Sequence, residues 1–377
     1  MAGRTKRLFG IAAVLSTVAV VVVAAVATSA SGGEQRASST TATGAGPKVA
    51  IITLYREPLA QWMVAGAELA AKEYGADFHW QGPPGLNPPA EVKMLQDEVA
   101  AGTKGIVLMQ YPPDLFNTPI RQAIQQGVTV VTTNVPAPDS EAKTHVGPAK
   151  VELGIAEGKV LAQLLGSKAA RGYIVPGICV PGLDVLVAPF TGLRSTLKKL
   201  TPKIVMRKEV NVTGDPATNF TAWQRIITQN RKAKAFVGNC DQDAPNLIKI
   251  KQSLKGKFLI GDTSGDSVAN LRAVRAGTMN VMTTQTGFVS GYVAMKLVLE
   301  KLVNGKSVPE GWLDSGIETI VPGNAAAAIK VRQQIAAGNL KAGYAYYKRA
   351  ILRALSAKPK PVASTNTQAN LNHLVTP

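Results

Sequence analysis

A cluster of polar side chains follows an apolar run in the stretch AFVGNCDQDAPNL, residues 235–247. The apolar part is typical of a buried strand, and it breaks at Gly238 into the sequence Asn-Cys-Asp-Gln-Asp. Carboxylate and amide groups at the carboxyl end of a buried strand either cap the next helix or bind a ligand through hydrogen bonds. Asp243 directly precedes a helical pattern that begins with Ala-Pro, which is the place of an N-cap. Asp241 lies further upstream, and we expect its carboxylate to face a ligand.

Motifs for covalent or nucleotide chemistry are absent from the sequence. The loop after the first predicted strand, residues 54–58, contains no glycine, which excludes a GxGxxG dinucleotide fingerprint there. The sequence also has no GxxxxGK[ST] phosphate loop and no GxSxG nucleophile elbow. Its three histidines, at positions 79, 145 and 373, lack the spacing of metal ligands. We therefore expect a binding protein rather than an enzyme, with no metal and no cofactor.

Strand and helix patterns alternate along most of the chain. The predicted strands are short β-rich runs at residues 48–54, 76–81, 105–110, 128–134, 172–178, 203–210, 234–239, 257–262 and 279–285. The predicted helices have apolar residues at helical spacing and lie at residues 58–75, 91–101, 114–126, 151–165, 187–199, 217–230, 244–254, 267–276 and 289–304. Such alternation implies right-handed crossovers and parallel sheets covered on both faces. The predicted fold class is α/β, with two doubly wound parallel-sheet lobes in tandem.

Ligands bind open parallel sheets beyond the carboxyl ends of the strands, and this rule predicts the position of a cleft. The residues at the ends of the predicted strands and directly after them are mostly polar: Tyr55, Arg56, Gln110, Tyr111, Asn134, Cys179, Cys240, Asp241, Asp262, Thr263 and Gln285. Asp262, like Asp241, lies upstream of the next predicted helix, so for both carboxylates we favour a position facing the cleft over capping, which is the alternative. Tyr55 and Tyr111 each offer a flat apolar surface and a hydroxyl. The cleft is therefore expected to present hydrogen-bonding groups beside aromatic faces.

The N-terminus carries an apolar run, residues 8–27, that contains no charged residue over 20 positions. Three basic residues precede the run and an A-x-A sequence ends it. This layout is that of an export signal, either cleaved or retained as an anchor long enough to span a bilayer. We assign residues 1–30 to this segment and residues 31–46 to a flexible Gly/Ser/Thr/Ala linker. The protein is therefore expected in the periplasm or on the outer face of the cytoplasmic membrane.

The net charge of +18 lies mostly at the two ends of the chain. Residues 1–46 carry +3 and residues 322–377 carry +8, which leaves +7 for the middle of the chain. A nucleic-acid-binding domain needs its basic patch on the folded face. The distribution therefore argues against a nucleic-acid partner.

Several of these segments, taken in order, carry a family resemblance. They are YREPL after the first strand, AGAELAAKEYG in the next helix and, further along, AGTKGIVLMQYPPD, VTVVTTN and AFVGNCDQDA. Over residues 48–321 the chain resembles the ribose/galactose branch of the type I periplasmic binding proteins. The resemblance implies a monomeric, two-lobed protein that closes on a small solute and delivers it to an ABC transporter permease. A ligand-sensing module that docks to a membrane signalling receptor shares the fold and is the alternative.

The resemblance also implies a three-segment hinge, with crossings between the lobes near Val146, Gln285 and Asp314. The implied boundaries are residues 47–146 and 286–313 for lobe 1, and residues 147–285 and 314–321 for lobe 2.

Sugar-binding members of this family commonly hold their ligand with Asp-Arg and Asn-Asp pairs. Here Asn134 and Val135 stand at the Asp-Arg position, and Phe190 lies near the position of a second arginine. Cys240 replaces the Asn of the other pair, whose Asp is kept as Asp241. Together with residues chosen for their position at strand ends, the full set of expected ligand-binding residues is Tyr55, Arg56, Tyr111, Asn134, Phe190, Cys240, Asp241, Asp262 and Gln285. This less charged, more apolar wall fits a polyol, a deoxy sugar or a less polar metabolite about as well as a simple sugar.

The two cysteines, Cys179 and Cys240, follow strands that are neighbours in the usual strand order of such a lobe. Neighbouring strands place residues near the Cα separation that a disulfide bond requires, and export permits oxidation. We expect a Cys179–Cys240 disulfide bond; a pair of free thiols is the alternative.

The basic C-terminal extension, residues 322–377, is not required by the family pattern. Its Ala-rich part, residues 324–356, is compatible with helices. It either packs on the lobes or contacts the membrane or the permease; the other interpretation is a solvated extension.

Overall fold

The structure is a computed structural model that describes residues 46–56 and 58–365. Its first sheet has six strands, all parallel, and we call this sheet with its covering helices lobe 1. In spatial order the strands are β12 (Gly311–Asp314), β5 (Thr144–Gly147), β4 (Thr129–Thr133), β3 (Gly105–Met109), β1 (Lys48–Ile52) and β2 (Asp77–Gln81). The predicted export segment and nearly all of the predicted linker lie outside the described residues.

The second sheet forms lobe 2 and is parallel except at one edge. Its strands are, in spatial order, β13 (Ile317–Ile320), β11 (Val281–Gln285), β10 (Leu259–Asp262), β9 (Ala235–Gly238), β6 (Gly172–Ile178) and β7 (Ile204–Met206), with β8 (Val210–Asn211) paired to β6. The edge strand β13 is antiparallel to β11.

Eleven α-helices connect and cover these strands within the described residues. They are α1 (Pro58–Glu73), α2 (Pro88–Ala100), α3 (Pro113–Gln125), α4 (Lys150–Leu165), α5 (Asp184–Leu200), α6 (Pro216–Gln229), α7 (Asp243–Leu254), α8 (Val268–Arg275), α9 (Gly287–Asn304), α10 (Ala325–Ala336) and α11 (Leu340–Ser356). None of the helices in the described part of the chain is both long enough and apolar enough to span a membrane.

Local sequence explains where several helices begin and end. The side chains of Asn87, Asp215 and Ser267 accept hydrogen bonds from the first turns of α2, α6 and α8. Such caps satisfy backbone donors that have no partner inside the helix. Gly166 and Gly305 end α4 and α9 in the left-handed conformation that glycine adopts without strain. These residues therefore set the positions along the sequence at which the helices begin or end.

Each sheet is covered on both faces by helices, and buried apolar side chains fill the layers between. In lobe 1, helices α1 and α9 pack on one face of the sheet, and helices α2 and α3 pack on the other face. In lobe 2, α4 and α5 cover one face and α6, α7 and α8 the other. The predicted fold class, two doubly wound α/β lobes, is confirmed.

The chain passes between the two sheets three times. It leaves lobe 1 after Gly147, returns after Gln285 and leaves again after Asp314. Strands β5, β12 and β13, which flank these crossings, were not among the predicted strands. The predicted strand at residues 203–210 is instead two short strands, β7 and β8, separated by residues 207–209.

The C-terminal extension packs against both lobes. Helix α10 contributes Ile329 to the lobe 2 core and Ile335 to the lobe 1 core. Helix α11 adds Tyr347 and Ile351 to the lobe 1 core, where the Tyr347 ring stacks on Phe288. Of the interpretations given above, packing on the lobes is the one that the structure shows for the described part of the extension.

Candidate functional site in the interlobe cleft

A cleft of about 400 Å³ lies between the lobes, where the carboxyl ends of both sets of strands meet. Lobe 1 contributes residues that follow β1, β3 and β4, and lobe 2 contributes residues that follow β6, β9 and β10 and the last residue of β11. This is the position at which open parallel sheets bind ligands. Six of the nine predicted ligand-binding residues line the cleft: Tyr55, Tyr111, Asn134, Cys240, Asp241 and Gln285.

Two wider depressions lie elsewhere on the surface, with volumes of about 780 and 680 Å³. The first is lined by residues 231–234 and 256–258, which precede β9 and β10 and so lie at the amino ends of the strands. The second adjoins the mouth of the cleft and shares Tyr111 and Val135 with it. Neither combines polar groups from the strand ends of both sheets, and we take the 400 Å³ cleft as the candidate site.

Asp241 is held in the lobe 2 wall of the cleft. One of its carboxylate oxygens, Oδ1, accepts hydrogen bonds from the Ser264 hydroxyl at 2.6 Å and from the Gly265 backbone N–H at 2.8 Å. Both donors belong to the loop after β10, so this loop fixes the orientation of the carboxylate. A fixed carboxylate at a cleft wall is suited to accept hydrogen bonds from solute hydroxyl groups.

The cysteines Cys179 and Cys240 form a disulfide bond, with their Cα atoms 6.3 Å apart. The bond joins the ends of the adjacent strands β6 and β9, and both residues line the cleft. Cys240 therefore belongs to the wall as part of a cross-link, and its sulfur is not available as a thiol ligand.

Three of the predicted ligand-binding residues do not line the cleft. Arg56 turns within lobe 1, where its Nε donates to the Gly82 carbonyl oxygen at 2.7 Å and its guanidinium lies over the Trp80 ring. Phe190 is buried in the lobe 2 core, because the face of α5 that carries it packs on the sheet. Asp262 is fully buried below the cleft surface, and its neighbour Thr263 lines the cleft in its place.

Two other aspartates near these strands have structural roles, and that of Asp243 differs from the expected N-cap. Asp243 is the first residue of α7 rather than the residue before the helix, and it is fully buried. Its Oδ2 accepts from the backbone N–H groups of Asn239 and Cys240, both at 3.0 Å, and thereby fixes the loop after β9. Helix α8 is capped by Ser267, while Asp266 pairs with Arg332 of the extension.

Lys150 is a cleft residue that the sequence reasoning missed. It is 5% exposed and lies at the start of α4, directly after the first crossing. Its Nζ donates to Oδ1 of Asn134 at 2.8 Å and to Oε1 of Gln285 at 2.5 Å. The ammonium thus joins Asn134, which follows β4 of lobe 1, to Gln285 at the second crossing. A cation in the first turn of a helix opposes the helix dipole, and that unfavourable placement was the available signal of a role beyond the helix.

Burial lowers the pKa of Lys150 from its ordinary value of 10.5 to about 7. Burial, and then the charge of Lys150, lower the pKa of His145 to about 3. His145 is therefore neutral near pH 7 and does not compete with Lys150 for an anion.

Replacing Lys150 with methionine is expected to change how stability depends on pH. The folded-state pKa of Lys150 lies below its unfolded value, so the unfolded state binds more protons between about pH 7 and pH 10.5. Lys150 therefore lowers the free energy of unfolding progressively as pH falls through that window. We expect Lys150→Met to gain stability relative to wild type by roughly 3 kcal/mol between about pH 9.5 and pH 7, measured by urea unfolding.

The matched control for this prediction is Lys159→Met, which removes an exposed lysine from the same helix. A stability difference between Lys150→Met and wild type that stays constant over the pH range would contradict the prediction. So would a pH response equal to that of the control.

The remaining lining is mostly apolar, with a few polar groups from lobe 2. The apolar members are Leu54, Leu59, Leu86, Val135, Leu153, Val180, Leu183, Val185, Leu186, Pro189 and Pro216. Asn239, Gln242, Thr263 and Ser264 add polar atoms on the lobe 2 side. No group of three or more His, Cys, Asp or Glu side chains in the described part of the chain is arranged to hold a metal ion.

Comparisons with known proteins are consistent with this architecture. The family model for the periplasmic binding protein domain matches residues 49–307. No curated protein matches the chain.

Among solved structures, a solute-binding protein of an ABC transporter from Burkholderia graminis, in complex with D-arabinose, has a TM-score of 0.67 at 19% identity. The match covers 74% of this chain and 96% of that chain. A sugar-binding protein of a sugar ABC transporter from Bacillus halodurans has a TM-score of 0.68 at 17% identity, covering 75% and 99% of the two chains. An ABC transporter solute-binding protein from Actinobacillus succinogenes with bound D-allose has a TM-score of 0.66 at 18% identity, covering 74% and 99%.

The family model spans well over half of the chain, and the solved relatives share its two-sheet fold. This chain therefore belongs to the periplasmic binding protein family and has the type I fold that the sequence resemblance implied.

Proposed function

We propose that this protein captures a small solute in the interlobe cleft and delivers it to an ABC importer without changing it chemically. The observation that carries the proposal is the cleft itself, in which groups from both lobes and from the crossings face one volume of about 400 Å³. This volume is sufficient for a single small molecule. Solved relatives of the same fold were crystallised with D-arabinose and D-allose.

The chemistry of the lining supports a solute that has both hydroxyl groups and an apolar face. Asp241, Asn134 and Gln285 supply carboxylate and amide groups at strand ends, while Tyr55 and Tyr111 supply aromatic surface. A ring with one apolar face packs on such aromatic surface, and its hydroxyls bond to the polar groups. A sugar, a polyol or a related metabolite has these properties.

Delivery to an importer requires that the protein work outside the cytoplasm and that the cleft open and close. We propose that the N-terminal apolar run directs export, as a cleaved signal or as a membrane anchor. We further propose that the lobes close as a monomer around the three crossings between the sheets. In this proposal the ABC transporter permease recognises the closed form.

Asp241→Asn is expected to weaken solute binding about tenfold. The substitution keeps an oxygen for Ser264 and Gly265 but removes the charge, and charge-assisted hydrogen bonds are stronger than neutral ones by roughly 1 to 1.5 kcal/mol. Native mass spectrometry of the purified protein identifies a co-purified solute, and isothermal titration calorimetry then measures its affinity.

The control is Asp184→Asn, an exposed aspartate near the mouth of the cleft, which changes the net charge equally. It should leave the affinity within about twofold. Equal affinities of Asp241→Asn and wild type would remove Asp241 from the site, and conversion of the solute during titration would contradict binding without turnover.

A further inference from the structure

The Lys150 ammonium lies at the cleft without an acidic partner. No carboxylate in the described part of the chain forms an ion pair with it. An ammonium has three donors, and the bonds to Asn134 and Gln285 use two of them. Both acceptors are neutral amide oxygens, so the positive charge itself is not compensated by a side chain.

An uncompensated buried charge is costly, and buried cations in folded proteins are normally paired. Elsewhere in this protein the same rule is obeyed: the buried guanidinium of Arg332 contacts two carboxylates, Asp266 and Glu318. The difference between these two buried cations is their location, because Lys150 lines the cleft and can receive its counter-charge from a bound molecule.

The amount of charge favours one kind of anion. Lys150 is the only lysine, arginine or histidine in the described lining of the cleft, and Asp241 is the only acidic residue in that lining. A phosphate group near neutral pH carries more negative charge than one ammonium balances, whereas a carboxylate matches it. The rest of the lining is mostly apolar, with polar groups from lobe 2, so the rest of the solute is held by packing and by those groups.

We propose that the solute of this cleft carries a carboxylate that pairs with Lys150 and hydroxyl groups that bond to the lobe 2 wall. The inference rests on the proposed function, because it specifies the class of solute that the cleft takes. A neutral sugar would supply no negative charge to pair with Lys150, so the proposal distinguishes this protein from a binder of neutral sugars. The lowered pKa of Lys150 is consistent with a site in which a bound anion restores the protonated state.

Matched acids and amides test this assignment, since a primary amide has the shape of a carboxylate but no charge. The probes are D-galacturonate, D-gluconate and shikimate, each titrated beside its own primary amide at about pH 6, where Lys150 is protonated. A panel of neutral sugars and polyols, with D-ribose, D-galactose and myo-inositol, is titrated in parallel. The proteins are wild type, Lys150→Met and Lys150→Arg.

At least one acid is expected to bind wild type tenfold or more tightly than its amide. This preference should fall below about twofold in Lys150→Met and be partly kept in Lys150→Arg. If Lys150 only positions Asn134 and Gln285, Lys150→Met weakens acid and amide equally, and that result would overturn the proposal.

The remaining outcomes separate failure of the inference from failure of the proposed function. Binding of amides as tightly as acids, or of neutral sugars alone, would refute the carboxylate assignment and leave solute capture intact. No binding in either panel would count against the proposed function and would remove the inference with it.

Discussion

Replacing Arg332 with methionine is expected to lower the free energy of unfolding by about 3 to 5 kcal/mol. Arg332 lies on α10 of the extension and is 2% exposed. Its Nη2 donates to Asp266 Oδ2 at 2.9 Å and to Glu318 Oε2 at 2.8 Å. Methionine fills a similar volume but leaves both carboxylates without their shared cation, and removing one partner of a buried ion pair is strongly destabilising.

The same contacts connect three parts of the protein. Asp266 of lobe 2 also accepts a hydrogen bond from the indole N–H of Trp62, which lies on α1 of lobe 1, at 3.1 Å. Glu318 on β13 accepts from the hydroxyls of Tyr346 and Tyr347 on α11. The cation of Arg332 therefore holds a network that includes both lobes and both helices of the extension.

Lys330→Met is the matched control, because Lys330 is an exposed residue on the same helix. Its stability should stay within about 0.5 kcal/mol of wild type in urea unfolding. A loss of less than about 1 kcal/mol in Arg332→Met would show that the network adds little to stability. A smaller slope of unfolding free energy against urea concentration in Arg332→Met would indicate that the lobes unfold separately in the variant. Arg332 would then be a residue that couples the lobes in one transition.

The sequence was sufficient to predict most strands and helices, because their apolar periodicity is a local property. It missed β5, β12 and β13, which are only four residues long each and contain polar or glycine residues. Strands this short are stabilised by their neighbours in the sheet, and those neighbours are distant in sequence. The packing of the extension was left open for the same reason, since its partners lie on helices far away along the chain.

The cleft was predictable from strand ends, but the direction of each side chain was not. Asp241 and Gln285 lie at the carboxyl ends of strands and line the cleft, as the rule for parallel sheets predicts. Arg56 also follows a strand, yet its side chain donates a hydrogen bond to Gly82 within its own lobe. Nothing in the sequence around Arg56 predicts that partner. Lys150 follows a crossing rather than a predicted strand, so the rule based on strand ends passed over it.

The disulfide bond is one connection whose effect can be calculated from sequence separation. Cys179 and Cys240 are 61 residues apart, and closing a loop of that length lowers the entropy of the unfolded chain by an amount worth about 4 kcal/mol. The bond also joins β6 to β9, whose following loops form part of the cleft wall. Loss of the disulfide bond should therefore lower both the free energy of unfolding and the affinity for the solute.

The double variant Cys179→Ala/Cys240→Ala is expected to lose about 4 kcal/mol of unfolding free energy relative to the oxidised wild type. Reducing the wild type should give a loss of similar size, whereas the same reductant should leave the double variant unchanged, which serves as the control. Urea unfolding with and without reductant measures both, and calorimetry on the folded proteins measures the accompanying loss of solute affinity.

Two alkylated thiols in freshly exported protein, or a loss of unfolding free energy below about 1 kcal/mol, would contradict the role of the bond. A full loss of stability with unchanged affinity would show that Asp243, through its bonds to the backbone of Asn239 and Cys240, is sufficient to hold the cleft wall in place.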